Sequence, residues 1–148
     1  MQGDPSMPGR KPSGARRIGP RALVIEDSAD SRELYVRELE AAGYTVFGAD
    51  DGENGIELVQ RLHPALIILD LMLPGTSGFG VARWVRERSP RTDVAIVAVS
   101  ALTSETLRKE ALDAGCHSFL TKPVEASVVV TEAARVLAEK ASLARRSL

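Results

Sequence analysis

Five apolar segments recur along the chain, and each is followed by a segment with apolar positions at helical spacing. Most of the apolar segments are short runs without alternation, which is typical of strands buried on both faces of a parallel sheet. Strands are predicted at residues 22–25, 44–49, 65–70, 93–101 and 116–121. Because strands and helices alternate five times, the pattern favours an α/β domain with right-handed crossovers and helices on both faces of the sheet.

Helices are predicted between these strands, where apolar residues recur at intervals of three or four positions. Their ranges are 30–42, 53–62, 79–88, 104–114 and 125–141, and several end at glycine or proline. The first helix is expected to bury Leu34, Tyr35, Leu39 and Ala42. The last is expected to bury Val129, Val130, Ala133, Val136 and Leu137. Residues 142–148 then form a short C-terminal tail.

Positive charge is concentrated at the amino end. Residues 1–21 carry five basic side chains and one acidic side chain, a balance of +4, so the net charge of −1 leaves −5 for residues 22–148. Glycine, proline and serine without apolar periodicity predict a disordered basic tail over residues 1–20, ahead of a domain at 21–141. This tail is interpreted as a solvated segment or an upstream start before Met7. An arm for nucleic acid or an acidic partner is the alternative.

The composition excludes several classes of protein. A chain of 148 residues, 44% hydrophobic and 26% charged, is that of one ordinary globular domain. Because Cys116 is the only cysteine, an intramolecular disulfide is excluded, and this side chain is expected to be packed. The two histidines, His63 and His117, are isolated in the sequence and disfavour a zinc site. Both are expected at the surface or in loops. A single cysteine favours a reducing cytoplasm. No apolar run approaches the length of a membrane span, and none follows the basic end as a secretory signal requires.

Polar side chains follow four of the predicted strands. Asp70 ends the central strand, Glu26 and Asp27 follow the first, Ser100 lies at the end of the fourth, and Lys122 follows the fifth. Because the carboxyl ends of parallel strands share one edge, these five side chains can meet. Two carboxylates about 4 Å apart repel by about 4 kcal/mol at an effective dielectric of about 20, so three of them require a cation. Oxygen ligands without sulfur or imidazole favour Mg²⁺.

Each of these side chains also has a purely structural interpretation. The acidic pair could cap the following helix, with Ser28 or Asp30 as a further cap. Ser100 and Lys122 could be merely exposed polar ends of strands. The presence of the whole set around Asp70 favours the functional interpretation.

Four motifs in combination resemble the receiver domain of two-component response regulators. In order they are Glu26-Asp27-Ser28, residues 69–75 with Gly78, Val99-Ser100-Ala101, and residues 119–123. The resemblance covers residues 21–141. It implies a flavodoxin-like, doubly wound five-stranded parallel sheet of order 2-1-3-4-5 with five helices.

The same resemblance implies a phosphoacceptor role for Asp70. The phosphoryl donor would be a sensor histidine kinase, a histidine phosphotransfer protein or a small acyl phosphate. Asp27, Asp70 and the backbone carbonyl of Met72 would bind Mg²⁺, and Glu26, which stands where many members have aspartate, would hold a metal-bound water. The domain would be a signalling protein and not an enzyme, since it catalyses only its own phosphotransfer and dephosphorylation.

The resemblance further implies a switch and a tuned lifetime. Ser100 and Lys122 would bind the phosphoryl group, and Phe119, where many members have tyrosine, would follow Ser100 inward. Met72 and Leu102 would border the approach of the hydrolytic water, and because both are bulky and apolar, a long-lived aspartyl-phosphate is expected. Partners would bind the face made by the fourth helix, fifth strand and fifth helix, and a homodimer is one expected assembly.

Two other function classes compete with this interpretation. A phosphate-independent receiver that acts as a protein-binding module is the alternative. A haloacid-dehalogenase-type phosphatase is disfavoured, because Met72 stands where that family needs a second aspartate. The few residues after 141 are too short for a DNA-binding or catalytic output domain, so a stand-alone receiver that signals by contact is expected.

Overall fold

The computed structural model describes residues 19–89, 93–101 and 103–146. Five strands and five helices alternate along these ranges, as the hydrophobic pattern predicts. The strands are β1 (Arg21–Ile25), β2 (Thr45–Ala49), β3 (Leu66–Asp70), β4 (Ala95–Ser100) and β5 (Ser118–Thr121). The helices are α1 (Ala29–Ala41), α2 (Gly52–Leu62), α3 (Gly78–Arg88), α4 (Glu105–Asp113) and α5 (Ala126–Arg146).

The strands form one parallel sheet in the order β2-β1-β3-β4-β5, which confirms the predicted topology. The register aligns the carboxyl ends of the strands: Ile25 pairs with Leu69, and Ser100 pairs with Thr121. One residue follows Leu69 in β3, and that residue is Asp70. The polar residues at the strand ends are therefore brought to a single edge.

Two apolar clusters cover the two faces of the sheet. One packs α1 and α5 against the sheet through residues such as Leu39 and Val129, and the other packs α2, α3 and α4 through residues such as Val59 and Val81. Alternate residues of each central strand enter opposite clusters, for example Ile67 and Ile68 of β3. Burial on both faces explains why these strands lack polar alternation.

Two expectations about the helices are wrong. Leu34 is 49% exposed and Ala42 is also exposed, so Tyr35 and Leu39 alone are buried among the four residues expected in the α1 core. Helix α5 continues to Arg146, so residues 142–146 of the predicted tail are helical; this segment contains only serine and good helix formers, without glycine or proline. His117 lies in the loop before β5, as expected, and its ring joins a network described below.

Other expectations lie partly outside the described residues. Residues 1–18 of the predicted basic tail lie outside them. Pro20, near the end of the predicted tail, is described, and its carbonyl oxygen accepts a hydrogen bond from the Thr45 N–H at 2.9 Å. Cys116 is buried and His63 is exposed, as expected. Among the helices of the described ranges, none combines the length and apolar content needed to cross a bilayer.

The amino edge of the sheet is held by a network around Arg86 of α3. Its guanidinium donates to the carbonyl oxygens of Gly115 at 2.8 Å and Val94 at 2.9 Å. Arg86 Nη2 also lies 3.1 Å from His117 Nδ1, which accepts a hydrogen bond from Ile96 N–H at 3.2 Å. These contacts connect α3 to β4, to β5 and to the loop that precedes β5.

Candidate functional site

Three carboxylates converge at the carboxyl edge of the sheet. Asp70 is the last residue of β3 and is 5% exposed, Glu26 follows β1 and is 2% exposed, and Asp27 is exposed. One carboxylate oxygen from each lies within 4.8 Å of the others. The structure therefore confirms that these residues meet, and it places two of the three charges out of water.

Lys122 lies between two of these carboxylates. Its Nζ is 2.8 Å from Glu26 Oε1 and 3.5 Å from Asp70 Oδ2. Burial alone would lower the Lys122 pKa, but the hydrogen bond to Glu26 and the charge of Asp70 raise it overall, so the side chain is a stable cation. Three carboxylates and one ammonium leave the cluster with a formal charge of −2 when all four groups are ionised.

The environment of Asp70 opposes its ionisation. Burial raises its pKa from an ordinary 3.8 to about 6; the Met72 N–H, 2.9 Å from Asp70 Oδ1, acts in the other direction, and the charge of Glu26 adds to the rise. Perturbed carboxyl groups of this kind are common where a protein binds a cation or carries out chemistry. The Asp70 carboxylate is therefore an electron-rich group that additional positive charge would stabilise.

Glu26 combines a structural role with its place in the site. Its Oε2 accepts a hydrogen bond from Ser28 N–H at 3.0 Å, and Ser28 in turn caps α1 by accepting from Ser31 N–H at 3.3 Å. The capping alternative for Ser28 is thus confirmed, and it coexists with the carboxylate cluster. Arg32, which sequence reasoning missed, donates to the Glu26 carbonyl oxygen at 2.7 Å and so fixes the backbone beside Asp27.

Tyr35 is a second residue whose position sequence reasoning left unconnected to the site. It was predicted only as part of the α1 core, and it is indeed buried there. Burial is the main cause that raises the pKa of the Tyr35 phenol. The charge of Lys122 lowers this pKa, and the charges of Glu26 and Asp70 raise it, so the phenol lies within electrostatic range of the cluster. Its spacing within α1 indicates burial but carries no signal for this proximity.

Gly78 allows the backbone after Asp70 to fold closely. A Cβ at this position would lie 2.4 Å from the Asp70 carbonyl oxygen and 2.5 Å from Leu71 Cα, so a larger residue would displace the strand end. The Gly78 N–H donates to the Leu71 carbonyl oxygen at 3.2 Å. Gly78, which belongs to the second of the four motifs, therefore allows the close approach of the backbone on which the position of Asp70 depends.

Ser100 and Phe119 lie beside the cluster but are buried. Ser100 ends β4, and its carbonyl oxygen accepts the Lys122 N–H at 2.8 Å. Phe119 of β5 packs in the apolar cluster that contains Ala111 of α4. Met72, in contrast, is 54% exposed, and Leu102, the other residue expected to control water access, lies outside the described residues.

Comparison with known proteins identifies the family. The family described as the response regulator receiver domain matches residues 22–134. The chain belongs to this family. The matched range contains the carboxylate cluster, Lys122 and the five strands, except that β1 begins one residue before it.

Individual relatives agree with this assignment. The receiver resembles the DNA-binding dual master transcriptional regulator RpaA of Synechocystis, 38% identical over 72% of this chain and 44% of the relative. It also resembles the polar-differentiation response regulator DivK of Brucella ovis, 26% identical over 69% of this chain and 83% of the relative. The chemotaxis protein CheY4 of Vibrio cholerae superposes with a TM-score of 0.75 at 28% identity, covering 80% of this chain and 99% of that one.

The chain spans about half the length of several curated relatives that it matches, between 42% and 52%. The shared part is the receiver, which supports the fold and the family. The donor set of the receiver suits a hard divalent cation, because its three carboxylates offer oxygen ligands close together and the ion pairs with Lys122 compensate only part of their negative charge.

Proposed function

We propose that this receiver accepts a phosphoryl group on Asp70 from a phosphohistidine of a sensor histidine kinase or a histidine phosphotransfer protein, and that it then signals by contact. The observation that carries the proposal is the convergence of Glu26, Asp27 and Lys122 on a buried Asp70 whose pKa is raised to about 6. Such a site needs positive charge, and both a divalent cation and the lysine would supply it.

In the proposed reaction an Asp70 carboxylate oxygen attacks phosphorus, and the bond from phosphorus to the donor's histidine nitrogen breaks. Lys122 offsets charge on Asp70 and on the incoming phosphoryl oxygens. The residues fitted to hold Mg²⁺ are Asp27, Asp70 and the Met72 carbonyl, with Glu26 holding a water; when bound, Mg²⁺ supplies further positive charge to the phosphoryl oxygens. The domain would therefore catalyse its own modification and no reaction on another substrate.

Phosphorylation would switch the conformation through Ser100 and Lys122. Two hydrogen bonds to a charged group contribute about 1.5 to 3 kcal/mol each, or about 3 to 6 together. Inverting a 1:99 equilibrium requires about 5.5 kcal/mol, so contacts near the upper end of this range would shift most of the population. Because Phe119 packs with Ala111, movement of Ser100 would reach the face made by α4, β5 and α5, which we propose as the partner surface.

Two architectures occur among the relatives that match this receiver. DivK represents the architecture made mostly of a receiver, because this chain covers 83% of its length. A receiver that signals without a large additional domain is the arrangement we propose. RpaA, covered over 44%, has a large additional part, so a longer arrangement is the competing architecture. A phosphate-independent binding module is the competing mechanism.

The decisive experiment is phosphorylation of the purified chain by an acyl phosphate in the presence of Mg²⁺, read by intact mass. The wild type should gain one phosphoryl group, and Asp70→Ala should gain none, because no other carboxyl combines the strand-end position with Asp27 and Lys122 in the described residues. Asp50→Ala, at an exposed aspartate, is the matched control and should be labelled like wild type. A labelled Asp70→Ala variant would refute the assignment, and an unlabelled wild type would favour the phosphate-independent module.

A further inference from the structure

The loop between β3 and α3, residues 71–77, is held at its far end by the first turn of α2. The Thr76 hydroxyl donates a hydrogen bond to Glu53 Oε2 at 2.6 Å, across a separation of 23 residues in sequence. The hydrogen bond from Thr76 is the largest cause of a lowered pKa for the Glu53 carboxyl. The sequence patterns that mark Asp70 and Lys122 do not include either residue.

Two glycines allow this close approach. A Cβ at Gly52 would lie 2.4 Å from the Thr76 carbonyl oxygen, so the first turn of α2 packs directly on the loop backbone. Gly75 has a φ of +72°, in the left-handed region, and a Cβ there would lie 3.0 Å from Glu53 Oε1. The contact between Glu53 and Thr76 therefore belongs to an extended fit between the helix and the loop.

The near end of the same loop belongs to the proposed phosphorylation site. The Met72 N–H donates to Asp70 Oδ1 at 2.9 Å. Three residues, 73–75, separate Met72 from Thr76, and Pro74 and Leu73 leave little slack between them because proline fixes its own φ and Leu73 is buried. A displacement of the Thr76 backbone would therefore displace the Met72 backbone as well.

We propose that Glu53 is a positioning residue for phosphoryl acceptance: through Thr76 it fixes the 71–77 loop and so holds the Met72 backbone in place beside Asp70. The inference rests on the proposed function, in which the Met72 carbonyl is a ligand of Mg²⁺. Contacts that orient metal ligands typically change metal affinity by about 10- to 100-fold. Because Glu53 acts one contact further away, we expect about a 3- to 10-fold change.

The test is a calorimetric titration of the full chain with Mg²⁺ alone. Thr76→Val and Glu53→Ala should each weaken binding by about 3- to 10-fold. Thr76→Ser and Glu53→Gln keep the donor and the acceptor and should bind like wild type. Glu57→Ala is the matched control, because Glu57 is exposed on the same helix and pairs with Arg61 at 3.6 Å; it should leave Mg²⁺ affinity unchanged.

A second readout separates a local effect from general destabilisation. Without metal, hydrogen exchange of the Met72 amide should be faster in Thr76→Val and unchanged in Thr76→Ser, while the urea midpoint stays the same, since an exposed hydrogen bond contributes little to global stability. Combining Thr76→Val with Glu53→Ala should weaken Mg²⁺ binding no more than either change alone, because both remove one bond.

The outcomes distinguish this inference from the proposed function. If wild type binds Mg²⁺ and accepts phosphoryl while Thr76→Val and Glu53→Ala match it in Mg²⁺ affinity and in Met72 exchange, the positioning role is overturned and the proposed function stands. If wild type neither binds Mg²⁺ nor accepts phosphoryl, the proposed function fails, and the positioning role fails with it.

Discussion

The two edges of the sheet use polar groups in opposite ways. At the carboxyl edge, three carboxylates lie near one ammonium, and the pKa of Asp70 is raised to about 6, first by burial and then by the charge of Glu26. At the amino edge, Arg86 donates to two carbonyl oxygens, 2.8 and 2.9 Å away, and contacts His117. The carboxyl edge gathers like charges that leave a formal charge of −2, whereas at the amino edge a single guanidinium donates to backbone carbonyl oxygens of the protein itself. The difference separates a functional cluster from a structural one.

The sharpest way to probe the structural edge is Arg86→Met. The change keeps much of the side-chain length but removes the donors to Gly115 and Val94, leaving part-buried carbonyl oxygens without them. We expect the free energy of unfolding in urea to fall by about 2 to 4 kcal/mol.

Arg83→Met is the control for this prediction, because Arg83 lies on the same helix and forms an exposed ion pair with Glu110 at 3.5 Å. It should change stability by less than about 0.5 kcal/mol. Mg²⁺ affinity should be unaltered in both variants, since the carboxylates lie at the other edge. Equal stability of the two variants would mean that the Arg86 network is not structural.

The matching probe of the functional edge is Asp27→Ala, measured by Mg²⁺ calorimetry. Removing an exposed carboxylate that is proposed to bind the metal directly should weaken binding by about 10- to 100-fold, or about 1.4 to 2.7 kcal/mol. Glu26→Ala should have a smaller effect on affinity, because Glu26 is proposed to act through a water. Equal affinity in wild type and both variants would show that the cluster is not a metal site.

The smallest expected effect is a gain in stability from Asp70→Asn in the presence of a chelator. Since the folded pKa is raised above the unfolded value, the favourable contribution of protonated Asp70 is complete below about pH 3.8 and is lost as the pH rises through about 6. At pH 8 the ionised group therefore destabilises the fold, and the neutral asparagine should add about 1 to 2 kcal/mol to the free energy of unfolding.

Urea unfolding at pH 8 and at pH 4 would test this stability gain. The advantage of Asp70→Asn should shrink at pH 4, where Asp70 is largely protonated. Asp113→Asn, at an exposed carboxylate 3.8 Å from Lys109, should show no such gain. A less stable Asp70→Asn at pH 8 would contradict the electrostatic difference between the two edges.

The sequence was most informative where one physical constraint dominates. Burial on both faces leaves an apolar strand pattern, and parallel strands bring their carboxyl ends together, so the parallel sheet and the meeting of Asp70 with Lys122 were predictable from the residues, while the sheet order came from the resemblance to receivers. The resemblance to receivers added the roles of individual residues. Helix ends were predicted less well, as α5 shows, because helix formers continue past the last buried turn.

Contacts between distant polar residues were beyond the sequence patterns. His117 carries no local sign that it will meet Arg86, and Thr76 carries none that it will meet Glu53, because these pairs are joined only by tertiary packing. Leu34 shows the converse limit: its spacing fits the buried face of α1, but its side chain is 49% exposed. Periodicity predicts a face, whereas the neighbouring elements decide how wide that face is.

The buried state of Cys116 has a practical consequence for spectroscopy. The chain has one cysteine and one tryptophan, and the cysteine thiol is enclosed while Trp84 stands partly exposed on α3 with Arg88 over its ring. A thiol-reactive dye attached to a new cysteine on α5, for instance at Leu143→Cys, would therefore mark a single place without removal of the native residue. Energy transfer from the Trp84 indole to that dye would report the distance between α3 and α5.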